Sequence, residues 1–279
     1  MASALRVFPS PARDRQTLAE IAGVVPASRL GAPPQPETIP TGIPQVDKLT
    51  GGIPRGGWTE IFGPATSGRT SLLLSLLAQA TGREEVCALV DANDAFDPHS
   101  AAAAGVDLKR VLWVRCGRKV SSSSFHVARK NRVSAEKRET RNEKLASIEQ
   151  ALRAVDLLLQ AGGFGLVAMD LGDIPAAIAR RVPLTSWFRF RRAVENTATA
   201  LVVIEQEASA RSCASLVLRT KQLALNIQHS AKVAATTPSH TRLLHGMQLE
   251  VEVLNSRILQ RKPVRSASTP FESQATWVG

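Results

Sequence analysis

An octapeptide at residues 63–70, GPATSGRT, has the glycine spacing of a loop that binds phosphate groups. Such loops follow the pattern G-x-x-x-x-G-K-[ST], and this chain departs from it at Arg69, where the pattern has lysine. Gly63 and Gly68 let backbone N–H groups turn towards a phosphate, and Thr70 offers a hydroxyl to Mg²⁺. Arginine keeps the charge of lysine, but its longer, planar fork changes the fit to the outer phosphates.

A second candidate site residue, the acid Asp170, follows about a hundred residues later, at the end of the apolar run GLVAMD. A carboxylate at the carboxyl end of a buried strand lies beside the phosphate loop in folds of this kind and holds Mg²⁺ through water. We therefore expect Thr70 and Asp170 to serve Mg²⁺. The other interpretation of the octapeptide is an ordinary glycine-rich turn before a helix. The candidate nucleotide-binding residues are Gly63, Pro64, Ala65, Thr66, Ser67, Gly68, Arg69, Thr70 and Ser71.

The elements around the loop are predicted from their apolar patterns. WTEIFG before the loop reads as a strand, and SLLLSLLAQA after it reads as a helix that closes near Gly82. Short valine-rich runs that are apolar throughout predict strands buried on both faces, and hence a parallel α/β sheet. These runs are VCALVDA, VLWVRC, GLVAMDL and ALVVIEQ. After residue 215 the alternating pattern predicts antiparallel strands that extend one edge.

The chain is predicted to form one domain with appendages. Residues 1–40 read as an arm with the proline-rich linker GAPPQPETIP, residues 41–260 as the core, and residues 261–279 as an irregular tail. A basic insertion at about residues 117–145 interrupts the core, with nine Lys/Arg up to Lys144. The insertion is interpreted either as a solvated loop with the exposed start of a helix or as a nucleic-acid or partner contact.

Positive charge is concentrated in the second part of the chain. Residues 1–100 hold 8 Lys/Arg against 10 Asp/Glu, whereas residues 101–279 hold 27 against 14, and the formal net charge is +11. This asymmetry favours a polyanionic partner, nucleic acid first, although an acidic protein would feel the same field. The candidate contact residues are Arg129, Lys130, Arg132, Arg180, Arg181 and Arg211.

Composition excludes several classes of protein. Three cysteines without paired spacing fit a reducing cytosol. No apolar run approaches the roughly 20 residues of a membrane span, so we expect a soluble protein without a membrane partner. The five histidines lack the spacing of a transition-metal site.

The segment TSWFRFRRAVEN, residues 185–196, predicts an amphipathic helix. At helical spacing Trp187, Phe190 and Val194 share one face, while Arg189 lies off it. A second interpretation assigns base stacking, as in single-strand binders, to Trp187 or to Phe188.

Several ordered motifs together resemble the RecA recombinase family. They are the entry TG…D…LTGG, the octapeptide, the stretch DANDAFDP, and the spacing to Asp170 and to Gln206, and the resemblance covers about residues 37–260. It implies an α/β, RecA-like phosphate-loop core with ATP and Mg²⁺ as cofactors. It also implies that Gln206 senses the terminal phosphate and that about residues 207–216, EASARSCASL, form a DNA-binding loop.

The residues at which this chain differs from the family pattern are ones that serve ATP binding and hydrolysis in the family. The family's Asp-Ala-Glu is Asp-Ala-Asn here, so Asn93 stands where a glutamate orients the attacking water, and an asparagine cannot act as a carboxylate base. The adenine-stacking tyrosine of the family falls at Ser100. This combination resembles RecA-like mutasome proteins of the ImuA type, which support translesion synthesis.

Three functions remain open at this point. The first is an ImuA-like accessory protein of DNA repair and the SOS response, with weak or absent ATP hydrolysis. Such a protein would bind single-stranded DNA or a RecA filament, together with a translesion polymerase-like partner, and it can self-associate. The second is an active DNA-dependent ATPase of the RecA class, with Asp94 replacing the lost glutamate. The third is a nucleotide-free protein scaffold.

Overall fold

The computed structural model describes residues 36–116, 132–209, 212–227, 244–256 and 267–274. They belong to one compact unit, residues 36–279. Most of the predicted arm, residues 1–35, lies outside the described residues. Ile39, which lies at the end of the predicted linker, is fully buried in the core.

The described residues form six α-helices, one 3₁₀ turn and ten β-strands. The helices are α1 (Pro44–Thr50), α2 (Arg69–Gly82), α3 (Pro98–Ala103), α4 (Arg132–Ala161), α5 (Ala176–Ala179) and α6 (Leu184–Val194), with a 3₁₀ turn at Leu108–Arg110. The strands are β1 (Thr38–Ile39), β2 (Ile53–Pro54), β3 (Gly57–Phe62), β4 (Cys87–Asp91), β5 (Val111–Arg115), β6 (Leu166–Asp170), β7 (Ala200–Glu205), β8 (Leu216–Ile227), β9 (Leu244–Ser256) and β10 (Ala267–Gln274).

The main sheet has eight strands in the order β10-β9-β8-β3-β7-β6-β4-β5. The six strands from β8 to β5 run parallel to one another. Strands β9 and β10 are antiparallel additions at the β8 edge. The prediction of a mainly parallel α/β sheet, flanked by helices and extended by antiparallel strands near the C-terminus, is confirmed.

Helices cover both faces of the sheet, which is why its central strands are mostly apolar. On one face Trp58 of β3 packs with Val155 of α4 and Phe190 of α6. On the other face Ile61 of β3 packs with Leu76 of α2. Burying apolar side chains on both faces is the main source of stability in such a three-layer fold.

The prediction of an irregular tail is wrong for residues 267–274, which form β10 and pair with β9 along the whole strand. The sequence pattern of this segment was too weak to mark a strand that its neighbour stabilises. Helix α4 begins at Arg132, inside the basic insertion, where one of the two interpretations of the insertion places the start of a helix. Within the described ranges no helix has the length and apolar character needed to cross a membrane.

Candidate phosphate-loop site

The candidate residues meet because four parallel strands end at the same edge of the sheet. Strand β7 lies between β3 and β6, and β4 lies on the far side of β6. Phe62 pairs with Glu205 across β3 and β7, and Asp91 pairs with Asp170 across β4 and β6. The octapeptide, Gln206, Asp170 and Asn93 each follow or end one of these strands. The carboxyl edge of parallel strands is where ligands bind in open α/β sheets.

The octapeptide turns sharply between β3 and α2. Thr66 has φ 62° and Gly68 has φ 87°, so both adopt the left-handed conformation. At Gly68 a side chain would also overlap Leu249, which explains the glycine there. The side chains of Pro64, Ala65, Thr66 and Thr70 are exposed, while Ser67 is buried. The loop therefore presents an open rim at the amino end of a 14-residue helix.

The C-terminal strands hold the outer side of the loop. The hydroxyls of Ser67 and Thr220 lie 2.7 Å apart, and Thr66 Oγ1 donates to Gln222 Oε1 at 2.9 Å. Ser71 Oγ lies 3.3 Å from the hydroxyl of Ser273 on β10. These β8 and β10 residues had not been predicted to take part in the site, because nothing in the local sequence links them to the loop.

The guanidinium of Arg69 points away from the open rim and into the protein. Only 7% of the residue is exposed. Its Nη1 donates to the carbonyl oxygen of Glu205 at 2.7 Å and to that of Gly172 at 3.2 Å. Burial lowers the pKa of Arg69, while the carboxylates of Asp170 and Asp173 oppose that shift. The cation of the motif therefore contacts the ends of β6 and β7.

Asp170 ends β6 and lies close to that guanidinium. Its Oδ1 accepts a hydrogen bond of 2.7 Å from the backbone N–H of Gly172. Burial raises the pKa of Asp170 to about 6, the Gly172 hydrogen bond opposes this, and Asp91 and Asp173 add to the rise. The group is available as a carboxylate at neutral pH, as a Mg²⁺ site needs.

Asn93 follows β4 at the same edge and is half-buried. Its backbone N–H donates to Asp91 Oδ1 at 3.0 Å. Asp94, the suggested replacement for the lost glutamate, forms a two-pronged ion pair with Arg115, with distances of 2.5 and 2.6 Å. Ser100 donates to Asp97 at the start of α3. Asp94 is thus held at the β5 edge by a partner of its own.

Gln206 directly follows β7 and is half-buried. The residue before it, Glu205, is fully buried together with Glu60 of β3. Ser209 joins the two acids: its N–H donates to Glu60 Oε1 at 2.6 Å, and its hydroxyl donates to Glu205 Oε1 at 2.7 Å. The sequence interpretation missed this pair. The signal was an acid inside each of two apolar strand runs, WTEIFG and ALVVIEQ.

Comparison with known proteins finds sequence similarity to RecA proteins. Residues 28–118 match the RecA N-terminal domain. The chain is similar to Protein RecA of Thermus aquaticus, with 44% identity over 146 residues, which cover 51% of this chain and 34% of the relative. It is also similar to Protein RecA of Wigglesworthia glossinidia brevipalpis, with 28% identity over 186 residues, covering 61% and 47%.

The RecA family is thereby supported for the part of the chain that carries the loop, while the whole length of a RecA protein is not matched. The chain spans between a third and about half of the length of these two relatives. The match to the RecA N-terminal domain includes the octapeptide and Asn93, and it ends before Asp170.

The predicted DNA-contact residues are only partly visible. Arg129, Lys130 and Arg211 lie outside the described residues, and for Arg132 only the helical backbone is described. Arg180 and Arg181 are exposed after α5, and Arg180 pairs with Glu207. Arg180 also lines a cavity of about 160 Å³ with Ala208 and Ser209, next to the segment that follows Gln206. Leu216, predicted as the last loop residue, is the buried first residue of β8.

Helix α6 has the predicted amphipathic character. Trp187, Phe190 and Val194 are buried. Trp187 stacks on Trp58 with 4.9 Å between ring centroids, so it is a core residue and cannot stack on a base. Phe188, by contrast, is 44% exposed.

The residues of the site fit one part of a Mg²⁺–nucleotide complex and do not fit another. The open rim, the exposed Thr70 hydroxyl and the Asp170 carboxylate suit a phosphate with its Mg²⁺. The cation of the motif does not, because Arg69 Nη1 already donates to two backbone carbonyls. Among the described residues, no cluster of three or more His, Cys, Asp or Glu could hold a metal ion.

Proposed function

We propose that this chain is a RecA-like accessory protein of DNA damage tolerance, of the ImuA type, that acts in the bacterial cytoplasm with little or no ATP turnover. It contacts single-stranded DNA or a recombinase filament and recruits a translesion polymerase-like partner, and self-association is compatible with this role. The observation that carries the proposal is the position of Arg69, whose guanidinium binds Glu205 and Gly172 within the protein.

The residues that remain can bind and orient, but they cannot complete hydrolysis. Thr70 and Asp170 would hold Mg²⁺, which, when bound, would neutralise charge on the phosphates. Asn93 can orient a water but cannot take its proton, and Asp94 is already paired with Arg115. Removal of a catalytic base typically costs a factor of about 10²–10⁴ in rate.

Turnover is the first test. ATP hydrolysis should stay near background with and without single-stranded DNA, and Asn93→Glu alone should restore little of it because Arg69 remains turned inward. A robust, DNA-stimulated rate in the unmodified protein would refute the proposal and establish an active ATPase of the RecA class.

Nucleotide binding separates an accessory protein that retains its site from a pure scaffold. We expect weak binding of a fluorescent ATP analogue with Mg²⁺, weaker still in Thr70→Ala and stronger in Arg69→Lys. Thr81→Ala is the control for a threonine hydroxyl in the same helix, since Thr81 bonds the carbonyl of Leu77 far from the loop. No binding by any of these proteins would favour the scaffold.

The basic residues near the β7 end support the polyanionic partner. Affinity for single-stranded DNA should fall steeply as salt rises from about 50 to 200 mM, because bound phosphates release counterions. The double variant Arg180→Gln, Arg181→Gln should reduce the salt slope. The matched control is Arg83→Gln, Arg110→Gln, since these two arginines lie at the opposite, amino edge of the sheet. If the affinity for single-stranded DNA does not change with salt, the basic residues do not contact DNA phosphates, and an acidic protein becomes the favoured partner.

A further inference from the structure

The carbonyl oxygen of Glu205 is the point where the phosphate loop is fastened to β7. It accepts a hydrogen bond from the N–H of Gly63, the first residue of the octapeptide, at 3.3 Å. It accepts a second from Arg69, the seventh residue, at 2.7 Å. Both ends of the loop therefore bind one backbone oxygen, and that oxygen belongs to the residue before Gln206.

The same side chain ties β6 to this point. Arg69 Nη1 also donates to the carbonyl of Gly172. A Cβ at Gly172 would lie 2.9 Å from Asp170 Oδ1 and 3.6 Å from Arg69 Nη1, which shows how closely the three residues pack. A guanidinium carries several N–H donors, so one of its nitrogens can bond both carbonyls.

The segment after Gln206 is held from its other end as well. Ser209 donates from its N–H to Glu60 and from its hydroxyl to the side chain of Glu205. Residues 206–209 thus lie between two fixed points, the Glu205 carbonyl and Ser209. Groups of the protein itself form both points.

We propose that Arg69 is a positioning residue that takes the place of a bound nucleotide, and that it fixes residues 206–209 in one conformation without ATP. This inference rests on the proposed function, because it explains how a phosphate-loop protein presents its partner-binding segment without turnover. Both hydrogen bonds come from one nitrogen, Nη1, and the side chain of a lysine at position 69 is too short to place its nitrogen at the same point. It would leave the segment responsive to a nucleotide.

Hydrogen–deuterium exchange of residues 206–209 tests the proposal. In the unmodified protein, exchange should be the same with and without saturating Mg²⁺ and ATPγS. In Arg69→Lys, exchange without nucleotide should be about tenfold faster, the effect expected from loss of a hydrogen bond to a charged group. Adding Mg²⁺ and ATPγS should slow it again. Arg83→Lys, an exposed change after the same helix, should behave as the unmodified protein.

Three results would overturn the inference. They are protection of residues 206–209 by nucleotide in the unmodified protein, unchanged exchange in Arg69→Lys, and faster exchange in Arg69→Lys that nucleotide does not reverse. The last result would make Arg69 a purely structural residue. Exchange in β4 and α2 shows whether the variant is folded, and the experiment on the unmodified protein stands without any variant. ATP turnover or absent DNA binding refutes the proposed function without affecting these outcomes.

Discussion

The buried acid Glu205 should make the stability of this protein depend on pH. Burial raises the pKa of Glu205 to about 8 from an ordinary value of 4.5, and the carboxyl of Glu60 adds to the rise, while the hydrogen bond from Ser209 opposes it. The folded protein therefore holds a proton that the unfolded chain releases above about pH 4.5. The contribution of Glu205 to the free energy of unfolding is largest below that pH and falls as the pH rises towards 8.

The size of the effect follows from proton linkage. One extra proton bound in the folded state changes the free energy of unfolding by up to about 1.4 kcal/mol per pH unit. Between about pH 5.5 and pH 7.5 the Glu205 contribution should thus fall by about 2 kcal/mol. Glu205→Gln keeps an acceptor for the Ser209 hydroxyl, and its amide can donate to Glu60. The variant should lack the pH dependence and should be the more stable protein near pH 8.

Urea unfolding followed by tryptophan fluorescence measures this difference, since Trp58 and Trp187 are buried in the core. The quantity of interest is the free energy of the unmodified protein minus that of Glu205→Gln across the pH range. Taking this difference cancels the titration of other groups. Glu207→Gln, an exposed acid two residues away, is the control and should give a flat difference. Parallel curves for the unmodified protein and Glu205→Gln would refute the raised pKa of Glu205.

Two further outcomes are expected from the structure. Gly68→Ala should cost at least about 1 kcal/mol of stability in thermal unfolding and weaken nucleotide binding, because φ is 87° and the methyl group would overlap Leu249. The control Gly82→Ala has open space around it and should be neutral or slightly stabilising. The three cysteines are buried and should resist a thiol reagent near pH 8 until urea unfolds the chain. Burial raises the pKa of Cys87 to about 12 and that of Cys116 to about 11, so the reactive thiolate is scarce. Fast labelling of the folded protein would contradict this expectation.

Much of the fold could be predicted because apolar periodicity reports burial directly. The runs that became β4, β6 and β7 are continuous and apolar, as expected for strands with both faces covered. The run VLWVRC has the same pattern, but it became β5, an edge strand that is only partly buried, so the prediction of burial on both faces is wrong there. The edge strand β10 was missed because ASTPFESQ is mostly polar and contains Pro270. Such a segment is a strand only because β9 offers it a complete hydrogen-bonding partner.

The site could be predicted only as far as its motifs. The octapeptide and Asp170 were found from glycine spacing and from an acid at a strand end. The Glu60–Glu205 pair was missed because the two residues are 145 positions apart and meet only when β3 and β7 pair. Ser209 joins them from a segment whose sequence carries no pattern of its own.

The residue types and their spacing indicate a phosphate-type loop between a strand and a helix, an arginine as its cation, and Asn93 in place of a base. These features are local in the chain. The contacts of Arg69 are not local and depend on the fold. A long side chain at the start of α2 can reach either a ligand or the ends of β6 and β7, and the carbonyl oxygens of Gly172 and Glu205 lie within its reach only because those strands are neighbours in the sheet.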